Sequence, residues 1–207
     1  MTKLMARSRT ITWEDPVAAA AGRAEMSGLQ HLRAIRDGDV PPPPIAALMG
    51  FGIVEVEEGR AVFAATPTEL HYNPIGVVHG GFAATLLDSA MGCAVQSTLP
   101  AGVLYTTLEV KVNFARPLTC DTGRVLCTGT IVHRGRTVAT AEGRLTAEET
   151  GKLLAHASTT CLVIGESAAD EPPTLHASGV PSAPEARIAG GASERTTHDK
   201  RAVAGWR

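Results

Sequence analysis

The chain has 207 residues and a formal net charge of −2, which bounds it to one domain with extensions or to two small domains. A slightly negative net charge argues against a broad basic surface, so we expect no nucleic-acid partner. Hydrophobic residues make up 44% of the chain but aromatic residues only 4%, so the core must be built mainly from aliphatic side chains.

The cysteines indicate an intracellular protein. Four are present, and no two of them form a C-x-x-C pair: Cys93, Cys120, Cys127 and Cys161. They lie in apolar, strand-like or helix-like stretches, so we expect reduced, buried thiols. No cluster of Cys and His has the spacing of metal ligands, so we expect no metal site. No apolar run approaches the roughly 20 residues that span a bilayer. We therefore expect a cytoplasmic protein without a membrane partner.

The first 50 residues predict an extension to the main domain. Residues 1–26 are poorly patterned, and we expect a poorly ordered N-terminal segment there. Ser27 and Gln30 form a capping-box pattern that starts a short amphipathic helix, and Gly38 follows its end. Pro41 to Pro44 must be extended, because they cannot lie inside a helix. Residues 27–50 are thus predicted to form a helical extension with a proline strap.

Residues 51–165 predict one α+β domain. The stretch from Gly80 to Thr98 is apolar nearly all round, which is typical of a long buried helix. Two strands precede it and four follow: Phe51 to Glu57, Arg60 to Thr66, Leu108 to Phe114, Arg124 to His133, Arg136 to Thr146, and Lys152 to Ile164.

The connections between these strands are short, which favours an antiparallel meander. One helix that is apolar on every side has to be wrapped by the sheet to bury all its faces. We therefore predict a curved antiparallel sheet of about six strands around one long central helix. Residues 166–207 are rich in Pro, Ser, Ala and Gly, which predicts a disordered tail.

The start and middle of the long helix carry the candidate chemistry. Gly80 and Gly81 leave the first helical N–H groups uncrowded, and these groups could stabilise a carbonyl oxygen that gains negative charge. Asp88 lies among Leu86, Leu87 and other apolar residues, and an unpaired buried carboxylate costs several kcal/mol. Either it is functional, or nearby hydroxyls or solvent satisfy it.

These residues resemble a known family. The spacing of Asn73, His79-Gly80-Gly81 and Asp88, together with the stretch from Tyr105 to Pro117 and the later His133 to Arg136, resembles the PaaI-like acyl-CoA thioesterases of the hotdog fold. The resemblance covers roughly residues 28–164. It implies the hotdog fold, an acyl-CoA substrate and no cofactor, since coenzyme A is part of the substrate.

The resemblance also implies a role for each catalytic candidate. Asp88 would be the nucleophile or the general base that activates water. Gly80 would donate its backbone N–H to the thioester oxygen, and Asn73 would polarise the carbonyl or hold the water. His79 would support this loop. Thr107 would position the water, although strict alternation along its strand places it on the polar face.

The remaining implications concern binding and assembly. Family sites lie between two subunits, so we expect a dimer or a dimer of dimers. Gly81 is expected to contact substrate beside Gly80. Arg116 and the hairpin tip Arg134-Gly135-Arg136 would bind the phosphates of coenzyme A, because guanidinium groups suit phosphate.

Two other functions remain open from the sequence. The first is an enoyl-CoA hydratase or dehydratase of the hotdog fold, which also needs a positioned carboxylate and histidine. The second is a non-catalytic acyl-CoA-binding protein. The arrangement of Asn73, His79-Gly80-Gly81 and Asp88 fits the thioesterases better than the hydratases, and a binding protein would be expected to lack the carboxylate of Asp88. We therefore favour the hydrolase, acting on an aryl or medium-chain acyl group.

Overall fold

The computed structural model describes residues 5–20 and 22–165 of the chain. The predicted disordered tail, 166–207, lies outside the described residues. The described part has four α-helices, which are α1 (Pro16–Ala20), α2 (Gly28–Asp37), α3 (Pro44–Met49) and α4 (Gly80–Gln96). It also has six strands, which are β1 (Phe51–Glu57), β2 (Arg60–Ala65), β3 (Leu104–Phe114), β4 (Val125–Arg134), β5 (Val138–Ala147) and β6 (Leu153–Ile164).

Helix α2 begins and ends where the sequence predicts. The Ser27 hydroxyl accepts a hydrogen bond from the Gln30 N–H at 3.3 Å, and Gln30 Oε1 accepts one from the Ser27 N–H at 2.9 Å. Gly38 ends the helix with a φ of 86°, which is a left-handed conformation that favours glycine. Upstream, the sequence showed no regular pattern, but the structure has α1 and a single 3-10 turn, Arg23–Glu25.

The sheet wraps around the central helix α4. Its strand order is β1-β2-β4-β5-β6-β3, and every neighbouring pair is antiparallel. Helix α4 presses closely on this sheet, because a Cβ at Gly129 would lie 2.2 Å from the Ala90 carbonyl oxygen. The predicted α+β hotdog architecture is therefore confirmed, with a largely aliphatic core between helix and sheet.

Strand β3 departs from simple alternation at Leu108. Thr107 pairs with Cys161, but Glu109 pairs with Thr160, so one extra residue is inserted into β3 as a bulge. Strict alternation, which places Thr107 on the polar face, would place Leu108 on the apolar face, but Leu108 is 59% exposed. The extra residue reverses which side chains point inward, and this brings Thr107 onto the inner face.

Three further expectations need correction. Phe114 continues the alternating apolar pattern of its predicted strand, which favours a buried position, but it is 58% exposed because it lies at the end of β3 beyond the core. Cys120 was predicted to be buried in a strand but begins an exposed 3-10 turn. The expected two-residue turn at Arg134-Gly135 is a longer connection over residues 135–137, which the Gly135 N–H closes onto the Val138 carbonyl.

Candidate active site

Asp88 lies in the middle of α4 and is only half-buried. The Thr107 hydroxyl donates a hydrogen bond to Asp88 Oδ1 at 3.0 Å. The nearby Thr85 hydroxyl instead donates to the Gly81 carbonyl at 2.8 Å. Among the described residues, no group donates to Asp88 Oδ2. One carboxylate oxygen is thus held in place while the other remains available for chemistry.

The bulge in β3 is what makes this contact possible. Without the extra residue at Leu108, Thr107 would share the outer face with Glu109 and Lys111. With it, Thr107 lies on the inner face, in phase with Tyr105 and opposite the middle of α4. The contact between helix and strand therefore depends on one irregularity of backbone pairing.

A cavity of about 530 Å³ opens beside Asp88. Its walls come from α4, the start of β3, α2, the proline strap and α1. Most of the lining is apolar, and it includes Leu32, Ile35, Phe51, Phe63 and Pro41 to Pro44. The polar or ionisable residues of the lining are Arg23, His31, Arg36, Asp88, Ser89, Cys93, Gln96 and Tyr105. The cavity could hold an apolar acyl group with its reacting end at the carboxylate.

Cys93 is a potential nucleophile in the same cavity. Burial, as the main cause, raises the pKa of its thiol to about 12. At neutral pH the thiol is therefore protonated, and only a thiolate is a good nucleophile. Asp88 is the better candidate for attack or for base catalysis here.

The first turn of α4 has one backbone N–H that is already hydrogen-bonded and one that is available. His79 is the N-cap residue, and its Nδ1 accepts a hydrogen bond from the Gly81 N–H at 2.8 Å. Because Nδ1 accepts this bond, a neutral His79 ring carries its proton on Nε2. The Gly81 N–H is therefore already occupied. No described residue accepts a hydrogen bond from the Gly80 N–H, so this group is available to a ligand.

The loop before α4 is held by Asn73. Its Oδ1 accepts hydrogen bonds from the Ile75 N–H at 3.1 Å and the Val77 N–H at 3.3 Å. These donors fix the orientation of the amide, because only the oxygen can accept from backbone N–H groups. The Nδ2 group is the part of Asn73 that could contact a substrate.

A cleft of about 440 Å³ lies at the N-terminal end of α4. His79, Gly80, Phe114 and Arg116 line it. The Phe114 ring covers Gly80 closely, since a Cβ at position 80 would lie 3.0 Å from Phe114 Cζ. A side chain at position 80 would therefore require this ring to shift. No signal in the sequence points to this contact, because the exposed end of a strand has no fixed partner in sequence.

The predicted phosphate-binding residues lie in two places. Arg116 lines the cleft beside Gly80, where its Nη1 also donates to the Leu153 carbonyl at 2.7 Å. Arg134, Gly135 and Arg136 lie at the β4–β5 connection and line neither the cavity beside Asp88 nor the cleft beside Gly80. Arg134 donates to the Gly135 carbonyl at 2.9 Å, which is a local contact.

The described residues were also compared with the requirements of a membrane-spanning helix and of a metal site. Across residues 5–20 and 22–165, no helix combines the length and the apolar character that crossing a bilayer requires. Within the same ranges, no three His, Cys, Asp or Glu side chains are grouped so that they could hold a metal ion.

Comparison with known proteins identifies the family. Residues 75–154 match the model of the thioesterase superfamily. The 1,4-dihydroxy-2-naphthoyl-CoA hydrolase of Listeria monocytogenes is 30% identical over 106 residues, which cover 51% of this chain and 84% of that protein. Acyl-coenzyme A thioesterase 13 of Homo sapiens is 29% identical over 103 residues, covering 50% of this chain and 72% of the human protein.

Solved structures agree with this result. A phenylacetic acid degradation-related protein from Ralstonia eutropha JMP134 is 30% identical, with a TM-score of 0.58 over 63% of this chain and 98% of its own. The PaaI protein of E. coli, at 23% identity and a TM-score of 0.58 over 67% and 94% of the two chains, shares the fold.

The fold and the family model thus define a hotdog protein with a thioesterase-type sequence. The chain belongs to the thioesterase superfamily, and thioester hydrolysis is the activity of that family.

Proposed function

We propose that this protein hydrolyses an acyl-CoA thioester to a carboxylic acid and free coenzyme A. Asp88 acts as the general base or as the nucleophile, and the Gly80 N–H donates to the thioester oxygen. In the base mechanism, Asp88 takes a proton from water as the water oxygen bonds to the thioester carbon. The C–S bond then breaks, and the departing sulfur is protonated to give the thiol.

The observation that carries this proposal is the environment of Asp88. One carboxylate oxygen is fixed by Thr107 at 3.0 Å, and the residue lines a large, mainly apolar cavity. Among the described residues no group donates to its second oxygen, which leaves that oxygen able to take a proton from water or to attack a thioester. Low polarity around it would strengthen its interactions with charge that develops in the transition state.

The two catalytic groups of one subunit cannot act on the same thioester. Gly80 and Asp88 are eight positions apart on one helix, which separates them by about 12 Å along its axis. A thioester carbonyl is far smaller than that distance. A complete site therefore needs Asp88 from one subunit and Gly80 with Asn73 from a second copy.

Strand β3 is the edge at which we place this second copy. It is the last strand of the sheet and spans 11 residues, and within the described part of the chain it pairs only with β6. A long unpaired edge is a ready template for pairing with another chain. Leu108 and Phe114 expose large apolar side chains on this edge. Pairing of two β3 strands would cover them and bring the two α4 helices together.

The cavity beside Asp88 of one subunit would hold the acyl group. The cleft at Gly80 of the second copy would admit the thioester and the pantetheine chain. An aryl or a medium-chain acyl group matches the cavity volume and its apolar lining. Hydrolases of the family include one named for a naphthoyl-CoA substrate, which supports an aromatic acyl group here. Arg116 is the arginine best placed for a phosphate of coenzyme A.

Release of free thiol from a panel of aryl, short, medium and long acyl-CoAs tests this proposal. Hydrolysis of at least one member, at kcat/KM above about 10⁴ M⁻¹s⁻¹, is the expected result. Hydration of crotonyl-CoA without thiol release would instead identify a hydratase. Tight acyl-CoA binding without any turnover would identify a binding protein.

A further inference from the structure

The Tyr105 hydroxyl is a polar group that the proposed reaction does not use. Tyr105 lies two residues before Thr107 on the same face of β3 and lines the cavity beside Asp88. No hydrogen bond to its hydroxyl forms among the described residues, although the phenol is largely buried between β3 and α4. A buried phenol usually finds a partner, so a ligand oxygen is a natural candidate.

The position of this hydroxyl relative to Asp88 is set by α4. A Cβ at Gly92 would lie 2.4 Å from Tyr105 Oη, so the hydroxyl rests against the helix at that glycine. Gly92 is one turn beyond Asp88 on the same face, which is about 6 Å along the axis. The absence of a side chain at Gly92 is what leaves room for the phenol.

Tyr105 can donate a hydrogen bond only while its hydroxyl is neutral. Burial, as the main cause, raises its pKa well above the usual value for tyrosine. The nearby Cys93 and Asp88 act in the same direction. The group therefore remains a hydrogen-bond donor across the pH range in which the enzyme would work.

We propose that Tyr105 is a specificity-determining residue, whose hydroxyl hydrogen-bonds to an oxygen on the ring of an aromatic acyl group bound beside Asp88. This inference rests on the proposed thioesterase function. A rigid ring suits the geometry, because it holds its substituent one helical turn from the carbonyl without the entropic cost of ordering a flexible chain. The apolar walls of the cavity would cover the rest of the ring.

The test compares benzoyl-CoA and phenylacetyl-CoA with their 3-hydroxy and 4-hydroxy derivatives. In the wild type, at least one hydroxylated substrate should have a kcat/KM about tenfold above its unsubstituted parent. In Tyr105→Phe this preference should fall to within about twofold, because kcat/KM for the hydroxylated substrate falls more than kcat/KM for its parent. Gly92→Ala should also reduce the preference, since its new methyl group displaces the phenol.

Tyr72→Phe is the matched control. It removes a phenol hydroxyl that accepts from the Cys120 N–H at 3.0 Å, outside the Asp88 cavity, so the preference should stay unchanged. A wild type without any preference, or a Tyr105→Phe variant that keeps it, overturns the inference. So does hydrolysis of octanoyl-CoA with no aromatic substrate turned over. If no acyl-CoA at all releases thiol, the proposed function itself fails.

Discussion

Replacing Asp88 by asparagine removes the charge of the proposed base while leaving its shape. The amide oxygen of the new side chain can still accept the hydrogen bond from the Thr107 hydroxyl, so the contact between α4 and β3 is kept. A hydrogen bond to a neutral acceptor is weaker than one to a carboxylate by about 1 kcal/mol. The fold should therefore survive, with Tm lowered by about 2–4 °C.

Catalysis should suffer far more than stability. Loss of a positioned general base slows a reaction by about 10²–10⁴-fold, and loss of a nucleophile at least as much. At about 1.4 kcal/mol per factor of ten, that loss of rate is about 3–5 kcal/mol of transition-state stabilisation. The expected pattern is a large fall in kcat for Asp88→Asn with an almost unchanged melting curve.

The assay is thiol release under steady-state conditions, with thermal denaturation measured on the same preparation. Thr107→Val is a useful companion, because it removes the partner of Asp88 but keeps its charge. It should lower kcat less than Asp88→Asn does. Activity of Asp88→Asn within a few-fold of wild type would refute the reasoning and remove Asp88 from the mechanism.

Three further predictions rest on particular contacts. Asn73→Asp keeps the oxygen that holds the loop but loses the Nδ2 donor, so kcat should fall by about 10²-fold with little change in KM. A change in KM alone would contradict a role for Asn73 in the transition state. Leu108→Lys should yield inactive monomers by size-exclusion chromatography, whereas Val132→Lys, equally exposed on β4, should leave the dimer intact; dimers in both variants contradict the edge assignment. Burial is the main cause that lowers the pKa of His31 and His71 from 6.5, so the unfolded chain binds protons more readily. The stability that these two neutral histidines contribute should be complete above about pH 6.5 and decline below it. Tm should therefore fall between pH 7 and 5.5, and the fall should be less steep in His31→Gln.

The sequence predicted the central elements because their signals are local. The apolar pattern of α4 specifies a wrapped helix, and a carboxylate within it stands out as Asp88 does. The capping box at Ser27 fixed the start of α2 for the same reason. Such features depend on residues within one or two turns of each other.

Other parts of the site depend on long-range packing that periodicity cannot report. The bulge at Leu108 reverses the phase of β3, and only the pairing with β6 shows that Thr107 faces Asp88. The contact of Phe114 with Gly80 joins the end of one strand to the start of a helix. The cavity walls from α1 and the proline strap likewise come from segments distant in sequence.

The central claim is that each active site combines Asp88 of one subunit with Asn73 and Gly80 of another. A hybrid dimer tests it directly. It pairs an Asp88→Asn subunit with an Asn73→Asp subunit and is purified through two different affinity tags. Each parent homodimer should be nearly inactive, whereas the hybrid has one intact site and should recover about half of the wild-type activity. A hybrid as inactive as both parents would show that the two residues do not meet across subunits.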